Sequence, residues 1–309
     1  MNRFYPEGWQ YYRPENKKAL SSIDKLNEAL ATKQVLEATA EMCDSEHNLW
    51  VNLGVMRGVI PREEGAIGIK SGQTRDIAIL SRVGKSVCFV ITEIKTDPLG
   101  RMCAVLSRRI AQEMCVCEYI KKLRTGDIIP ARITHLESFG AFCDIGCGVA
   151  ALLPINSISV SRISHPKDRF FSGEDIKAVV AGVGEDGKIT LSHKELLGPW
   201  EENAALFSQG ETVSGIIRSV EPYGVFVELT PNLAGLAEPK SDAFIGQSAS
   251  VYIKSIIPDK MKVKLIIIDS FGGDYTQNKK YFLEEGRIDR WQYSPDTSYK
   301  TIITDFLGK

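Results

Sequence analysis

The sequence lacks the features of a membrane or secreted protein. No apolar stretch approaches the ~18 residues that cross a bilayer, and the first residues, MNRFYPEGWQYYRPENKK, lack the basic-then-apolar order of a secretory signal. We therefore expect a cytoplasmic protein without membrane contact. The seven cysteines are odd in number and lie in apolar segments, a distribution typical of small buried side chains in a reducing compartment.

An excess of positive charge is also missing. The formal net charge is −1, while 43% of the residues are hydrophobic and 25% are charged, as in a soluble globular protein. Because attraction to phosphates usually leaves a basic excess, this balance argues against a histone-like or strongly duplex-binding protein. A local basic face, or binding by base stacking, needs little net charge and remains open.

Signatures of catalysis and of metal binding are missing as well. Cys115 and Cys117, and Cys143 and Cys147, lack the Cys-x-x-Cys spacing and the nearby histidines of a zinc site. The G-x-G-x-x-G pattern of residues 182–187 precedes a strand-like segment, KITLS, rather than the helix that would hold a phosphate. We therefore interpret it as a hairpin turn, and we predict a non-enzymatic protein without metal, small-molecule cofactor or catalytic residues.

A long segment of the sequence occurs twice. GDIIPARITHLESFGAFCDIGCGVAALLP, from Gly126, returns as GETVSGIIRSVEPYGVFVELTPNLAGLAEP, from Gly210, at a constant offset of 84 (210 − 126). A weaker copy, LWVNLGVMRGVIP at residues 49–61, aligns with them after one gap. Apolar and polar residues alternate within each copy, which predicts strands with one buried face. Internal repeats of this kind indicate tandem copies of one small domain.

These patterns predict a mainly β protein with three tandem five-stranded barrels, short linking helices and terminal extensions. Five short strands in ~70 residues close into a barrel because closure removes exposed edges. Helical spacing predicts a linking helix over residues 110–123, from Ile110, Met114, Cys117 and Ile120, and an N-terminal helix from Leu20, Ile23, Leu26 and Leu30. The predicted domains are an extension at 1–32, a divergent barrel at 33–109, the linking helix at 110–123, a barrel at 124–197, a linker at 198–209, a barrel at 210–269 and an aromatic extension of unassigned fold at 270–309.

Two aromatic pairs are the strongest candidates for a functional surface. Phe139-Gly140-Ala141-Phe142 is followed by Asp144, and Tyr223-Gly224-Val225-Phe226 is followed by Glu228. Residues three apart on a regular strand point to opposite faces, but a glycine-centred bulge can turn both rings toward one surface. From the residues alone, Phe142 could equally belong to the barrel core.

The repeat resembles the S1 domain family over residues 33 to 270. This resemblance implies an oligonucleotide/oligosaccharide-binding (OB) fold of five strands that contacts single-stranded RNA through the aromatic pair and nearby basic side chains. By position these are Phe139, Phe142 and Lys188 in the second copy, Tyr223, Phe226 and Lys262 in the third, and His47 and Trp50 in the first. Arg57, Arg62 and Arg75 make the first copy the most basic.

The resemblance implies a bacterial RNA-binding protein of translation. Its expected partner is single-stranded RNA, in particular mRNA, and the small ribosomal subunit is a further candidate. Repeated weak sites on one chain would raise avidity through effective concentration. The balanced charge and the divergent first copy leave open an alternative, a scaffold whose barrels bind a ribosomal or other protein.

Overall fold

A computed structural model describes residues 4–96, 100–184, 187–272 and 279–307. Strands form three closed five-stranded barrels, which confirms the predicted mainly β fold. The chain divides into two compact units. The first contains the residues up to Leu123 with Pro130–Arg132 and Asp144–Ala150, and the second contains Arg124–Ile129, Ile133–Cys143 and the residues from Ala151 onward. The second barrel contributes to both units.

All three barrels share one topology, in which the first strand pairs with the second and the fourth, and the third runs parallel to the fifth. Apolar side chains point inward at alternate positions; on the first strand of the second barrel, Ile129, Ala131 and Ile133 are buried as predicted.

The first barrel consists of β1 (Leu36–Cys43), β2 (Leu49–Asn52), β3 (Arg57–Ile60), β4 (Ser86–Thr96) and β5 (Met102–Ser107). The second consists of β6 (Ile128–Glu137), β7 (Gly140–Asp144), β8 (Ala150–Pro154), β9 (Asp175–Val183) and β10 (Ile189–Ser192). The third consists of β11 (Thr212–Glu221), β12 (Gly224–Thr230), β13 (Leu233–Ala237), β14 (Ser248–Ile257) and β15 (Lys262–Phe271).

Strands β9 and β10 pair antiparallel on either side of the glycine-rich segment, with Val183 opposite Ile189. Glu185 and Asp186 lie outside the described residues. The pairing agrees with the hairpin interpretation of residues 182–187, because no helix follows to present its N-terminus to a phosphate. The predicted domain boundaries, in contrast, stay predictions.

The helices are short; one lies within the first barrel, between β3 and β4, and the others lie before or between the barrels. They are α1 (Pro14–Ala19), α2 (Ile23–Thr32), α3 (Ile77–Leu80), α4 (Arg108–Glu118) and α5 (Trp200–Ala204), with single 3-10 turns at Arg62–Glu64, Ile120–Lys122, Ile155–Ser157, Pro166–Asp168, Lys194–Leu197 and Pro258–Lys260. Helix α2 begins where the hydroxyl of Ser22 accepts a hydrogen bond from Lys25 N. Helix α4 begins in the same way at Ser107, which accepts from Ile110 N.

In both predicted helices, the apolar residues expected to face the core differ from the residues that are buried. In α4 the buried residues include Arg108, Ala111 and Cys115, whereas Cys117 of the predicted stripe is exposed. The reason is the ion pair of Arg108 with Glu7, at 2.7 Å, which turns a charged residue inward and rotates the buried face. A pairing between residues so far apart in sequence leaves no trace in the local pattern.

The N-terminal stripe is wrong at its start. Leu20 lies outside α2, at the C-terminal end of α1, and Ile23 is partly exposed as the first residue of α2. Leu26 is fully buried in the core of the first barrel together with Ala29. The apolar contact of α2 is therefore concentrated in its middle turns.

The C-terminal extension is folded into the second unit. Ile128 N donates to Gly286 O at 3.1 Å, and Ile288 N donates to Gly126 O at 2.9 Å. Strands β16 (Arg290–Gln292) and β17 (Ile303–Asp305) then form a two-stranded sheet. Its neighbouring aromatic residues are buried in the core that also contains the third barrel; they are Trp291, Tyr293 and Phe306. The aromatic content of this segment is thus explained by packing.

His193 is a buried neutral histidine of the second unit. Its Nδ1 lies 3.0 Å from Ile158 O and its Nε2 lies 3.1 Å from the hydroxyl of Tyr281. Burial lowers the pKa of His193 to about 3, and the positive charges of Lys279 and Arg169 act in the same direction. Protonation of the ring would place a charge in a buried position, at a desolvation cost. It would also remove the lone pair with which Nε2 accepts a hydrogen bond from the hydroxyl of Tyr281.

We expect the second unit to lose stability as the pH falls from 6.5 toward 4. The unfolded chain takes up a proton near the ordinary histidine pKa of about 6.5, whereas folded His193 resists protonation down to about 3. Unfolding is thus favoured by up to about 1.4 kcal/mol for each pH unit in this window. Urea denaturation of wild type and His193→Gln at pH 4.5, 5.5 and 6.5 measures the difference; equal pH slopes in the two proteins would contradict the expectation.

Candidate nucleic-acid interface

A pair of aromatic side chains lies on the outer face of the third barrel. Tyr223 is 66% exposed and Phe226 is half-buried, between the buried Val225 and Val227 of β12. The two ring centroids are 6.2 Å apart and the planes meet at 87°. Both rings therefore reach one surface, with edge-to-face geometry typical of stable aromatic pairs.

The second barrel repeats this arrangement. Phe139 is 53% exposed, Phe142 is half-buried, and their centroids are 6.0 Å apart at 88°. The flanking residues of Phe142, Ala141 and Cys143, point into the core. Phe142 therefore lies on the outer face of the second barrel and not in its core.

A glycine is required between the turn aromatic and the strand in both copies. A Cβ at Gly224 would lie 2.5 Å from Ala237 O, and a Cβ at Gly140 would lie 2.5 Å from Leu153 O. The adjacent strand passes too closely for any side chain at this point. The glycine thereby lets the chain turn tightly between the two aromatic residues.

Three lysines line the groove beside the aromatic pair of the third barrel. This groove has a volume of about 600 Å³ and is bordered by Tyr223 and Phe226, by Lys254, Lys262 and Lys264, and by one acidic side chain, Glu238. On β15, Lys262 and Lys264 point outward while Val263 and Leu265 point inward. The groove thus combines a stacking surface with an excess of positive charge.

Sequence reasoning identified Lys262 but missed Lys254 and Lys264. The signal was present, since the alternating run K-V-K-L at residues 262–265 places both lysines on one face of a strand. Lys254 gave no comparable signal. It lies at the irregularity between Ile253 and Ser255, where the pairing of β14 with β15 shifts by one residue.

The second barrel has fewer lysines at the corresponding positions. Leu236 pairs with Lys264 in the third barrel, and Leu152 pairs with Thr190 in the second. Thr190 therefore occupies the position of Lys264, and the exposed Lys188, two residues earlier, occupies the position of Lys262. Ala181 falls at the irregularity that Lys254 occupies. Of the three lysines beside the aromatic pair of the third barrel, Lys262 has a lysine counterpart in the second barrel, whereas Lys254 and Lys264 do not.

The first barrel has no lysine at these positions. Trp50 pairs with Val59, which pairs with Val105, so the strand register places Trp50 at the position of Phe226. Val105 and Cys103 then stand where the third barrel has Lys264 and Lys262, and Thr92 stands at the irregularity. The predicted aromatic position is present without its basic surroundings.

Carboxylates engage the two predicted side chains of the first barrel. Trp50 Nε1 donates to Asp44 Oδ2 at 3.0 Å, and His47 Nδ1 lies 3.3 Å from Asp76 Oδ2. Arg62, one of the three arginines that make the first copy the most basic, binds the same Asp76 with two hydrogen bonds. The hydrogen bond from Trp50 helps to hold the pKa of Asp44 below its ordinary value. Ionised carboxylates next to these rings make this part of the face unfavourable for phosphate.

The acidic residue that follows each aromatic pair is buried rather than part of the face. Glu228 accepts hydrogen bonds from Arg169, at 2.7 Å, and from Arg218, at 2.9 Å. Asp144 accepts from Glu7 N at 2.7 Å. Burial and the nearby charge of Glu7 raise the pKa of Asp144 to about 7. Both acids thus anchor distant segments.

The comparisons with known proteins agree with this geometry. Residues 122–194 match the S1 RNA binding domain family. The predicted resemblance is thereby confirmed, and the S1 match contains the second barrel with its aromatic pair. The first and third barrels share the topology of this S1 barrel.

Two relatives are named as ribosomal S1 proteins. The chain is 33% identical over 183 residues to small ribosomal subunit protein bS1 of Leuconostoc lactis, covering 57% of this chain and 42% of that protein. It is 28% identical over 256 residues to the small ribosomal subunit protein bS1 homolog of Bacillus subtilis, covering 80% of this chain and 62% of that protein. The chain thus spans less than two thirds of each of these relatives.

Solved structures give a weaker likeness. A multidomain protein with nucleic acid binding domains from Streptococcus pneumoniae is 13% identical, with 77% of this chain and 74% of that chain covered and a TM-score of 0.25. A score this low adds nothing to the argument for function.

Proposed function

We propose that the chain binds single-stranded RNA by stacking bases on the aromatic pairs of its barrels and acts in translation. The observation that carries the proposal is the groove of the third barrel, where Tyr223 and Phe226 border three lysines. Each stacked base contributes ~1–3 kcal/mol and the contact tolerates any base, because every base has a face to stack on. Lysines beside the rings hold the phosphates.

The S1 domain match and the names of the relatives support RNA binding in translation. We extend this to two partners, mRNA and the small ribosomal subunit, and to action in the cytoplasm without enzymatic activity. Among the described residues, no helix is both long and apolar enough to cross a membrane. The domain boundaries predicted from the sequence form part of this proposal.

The three barrels contribute unequally in this proposal. The third has both rings and three lysines, and the second has both rings and Lys188. The first has Trp50 and His47 next to Asp44 and Asp76. We therefore rank the affinity of the aromatic faces as third above second above first.

Tyr223→Ala/Phe226→Ala should weaken binding of a fluorescein-labelled single-stranded RNA about 10- to 100-fold, because the stacking surface of the third barrel is lost. Phe139→Ala/Phe142→Ala should have a smaller effect. Lys262→Gln/Lys264→Gln should lower the slope of log affinity against log salt by about 1.4, two phosphate contacts on a single strand. Fluorescence anisotropy at three salt concentrations measures all of these effects.

Phe244→Ala is the matched control, since this phenylalanine of the same barrel is 64% exposed and does not border the groove. It should bind like wild type. Folded aromatic variants that keep full affinity would contradict the stacking proposal. Absence of binding by wild type at low salt would instead favour the protein scaffold.

A further inference from the structure

We propose a second RNA-contacting surface on the first barrel, built by the N-terminal extension from Tyr11, Tyr12 and Lys17. Its ligand is an unpaired base of single-stranded RNA together with the adjoining phosphate. The identity of the ligand rests on the proposed function, but the site is separate from the aromatic pairs. The first barrel thereby gains a stacking surface and a lysine from outside its own strands.

The extension is anchored rigidly on strand β1. The side-chain amide of Asn16 bonds both backbone groups of Glu37, donating to Glu37 O at 2.8 Å and accepting from Glu37 N at 2.9 Å. The carboxylate of Glu37 in turn accepts from Gln10 N at 2.8 Å and from Gly8 N. These bonds hold residues 8–16 in place before any ligand arrives, which reduces the ordering cost of binding.

A groove lies between the extension and the outer face of the barrel. It has a volume of about 520 Å³ and is bordered by Tyr11 and Lys17 on one side and by Thr39 and Asn52 of the barrel on the other. On β2, Trp50 and Asn52 both point outward, because they alternate with the buried Leu49 and Val51. The groove therefore occupies the same outer face of β2 as the ring of Trp50.

The side chains around this groove suit a nucleotide. Tyr12 does not itself border the groove, but its ring contacts two side chains that do: its centroid lies 4.8 Å from that of Tyr11, in an edge-to-face arrangement, and 5.5 Å from Lys17 Nζ. The side chain of Tyr12 is 74% exposed. A base can stack on Tyr12 while Lys17 reaches the phosphate. Glu41 also borders the groove, where its carboxylate, held by Asn52 Nδ2 at 2.8 Å, can accept a hydrogen bond from a base amino group.

Tyr12 and Lys17 are not needed to attach the extension. The anchoring bonds come from Asn16 and from backbone groups of residues 8 and 10, and the side chain of Tyr12 is mostly in solvent. The exposed ring of Tyr12 and the ammonium group of Lys17 are therefore accessible to a ligand without loss of the anchoring bonds. Substitution at these two positions should leave the thermal unfolding of the protein unchanged.

The test measures RNA affinity of the full chain in the Tyr223→Ala/Phe226→Ala background, in which the strongest aromatic face is absent. Tyr12→Ala should weaken the remaining binding at least 5-fold, the lower end of the stacking range. Lys17→Gln should lower the salt slope by about 0.7, one phosphate contact. The matched controls are Tyr299→Ala, an 87% exposed tyrosine, and Lys18→Gln, an exposed lysine outside the groove; neither should change binding as much.

Photocrosslinking to RNA containing 4-thiouridine distinguishes this site from the proposed function. Crosslinked peptides that contain residues 11–17, lost in Tyr12→Ala, would support it. Crosslinks confined to residues around Tyr223 and Phe139, with unchanged affinity of the Tyr12 and Lys17 variants, would overturn the extension site and leave the proposed function standing. Absence of any crosslink or binding in wild type would overturn both.

Discussion

Glu228→Gln should lower the free energy of unfolding of the second unit by about 3–5 kcal/mol, the cost of removing one partner from a buried ion pair. The carboxylate of Glu228 is fully buried and faces two guanidinium groups, that of Arg169 at 2% exposure and that of Arg218 at 11%. Glutamine can still accept a hydrogen bond, but it removes the counter-charge of the buried Arg169 and leaves Arg218 with the more distant carboxylate of Asp168, 3.8 Å away. Desolvation then works against the folded state.

Urea denaturation, with hydrogen exchange of the backbone amides of β11 and β12 as the readout, measures this loss of stability. Asp242→Asn is the control, because Asp242 is exposed and its contact with Lys240, at 3.6 Å, is a surface ion pair that contributes at most about 1 kcal/mol. A Glu228→Gln protein as stable as this control would show that the arginines find other compensation.

Phe306→Ala should destabilise the second unit by about 3–5 kcal/mol, as expected when a fully buried phenylalanine is truncated. Phe306 is 1% exposed in a core that also contains residues of the third barrel, such as Val225 and Leu265. Its carbonyl also accepts a hydrogen bond from the hydroxyl of Thr125, 2.8 Å away. Removing the ring opens a cavity between the C-terminal extension and the barrels' side chains.

The neighbouring Leu307→Ala is the control, since Leu307 is 66% exposed, and it should change the free energy of unfolding by less than about 0.5 kcal/mol. Chemical denaturation of both variants against wild type measures the difference. Equal stability of the two variants would mean that the extension packs without contributing to the fold.

The barrels could be predicted from the sequence because their information is local and repeated. The offset of 84 between Gly126 and Gly210 and the alternation of Ile129, Ala131 and Ile133 specify strands and their inner faces. The buried face of α4 could not be predicted, because it depends on the ion pair of Arg108 with Glu7, 101 residues away. Contacts of this length carry no periodicity.

The candidate site could be predicted in part for the same reason. The aromatic pairs and Lys262 followed from repeat positions, and the structure brings Tyr223, Phe226 and Lys262 to one groove. Glu228 was in the same motif, but its partner Arg169 lies 59 residues away, so its burial had no sequence signal. RNA binding by these residues stays a prediction, which the affinity measurements on the aromatic and lysine variants test.

The hydrogen bonds between residues 126–128 and 286–288 set an order of events during protein synthesis. Gly126 and Gly286 are 160 positions apart (286 − 126). The hydrogen bond from Ile128 N to Gly286 O cannot form until Gly286 has been synthesised. At ~5–20 residues per second, a ribosome needs about 8–32 s to make the intervening chain. For that time residues 126–128, at the start of β6, lack their partners from the C-terminal extension, while β6 can already pair with β7 and β9. The second barrel can therefore close before its contact with the extension forms.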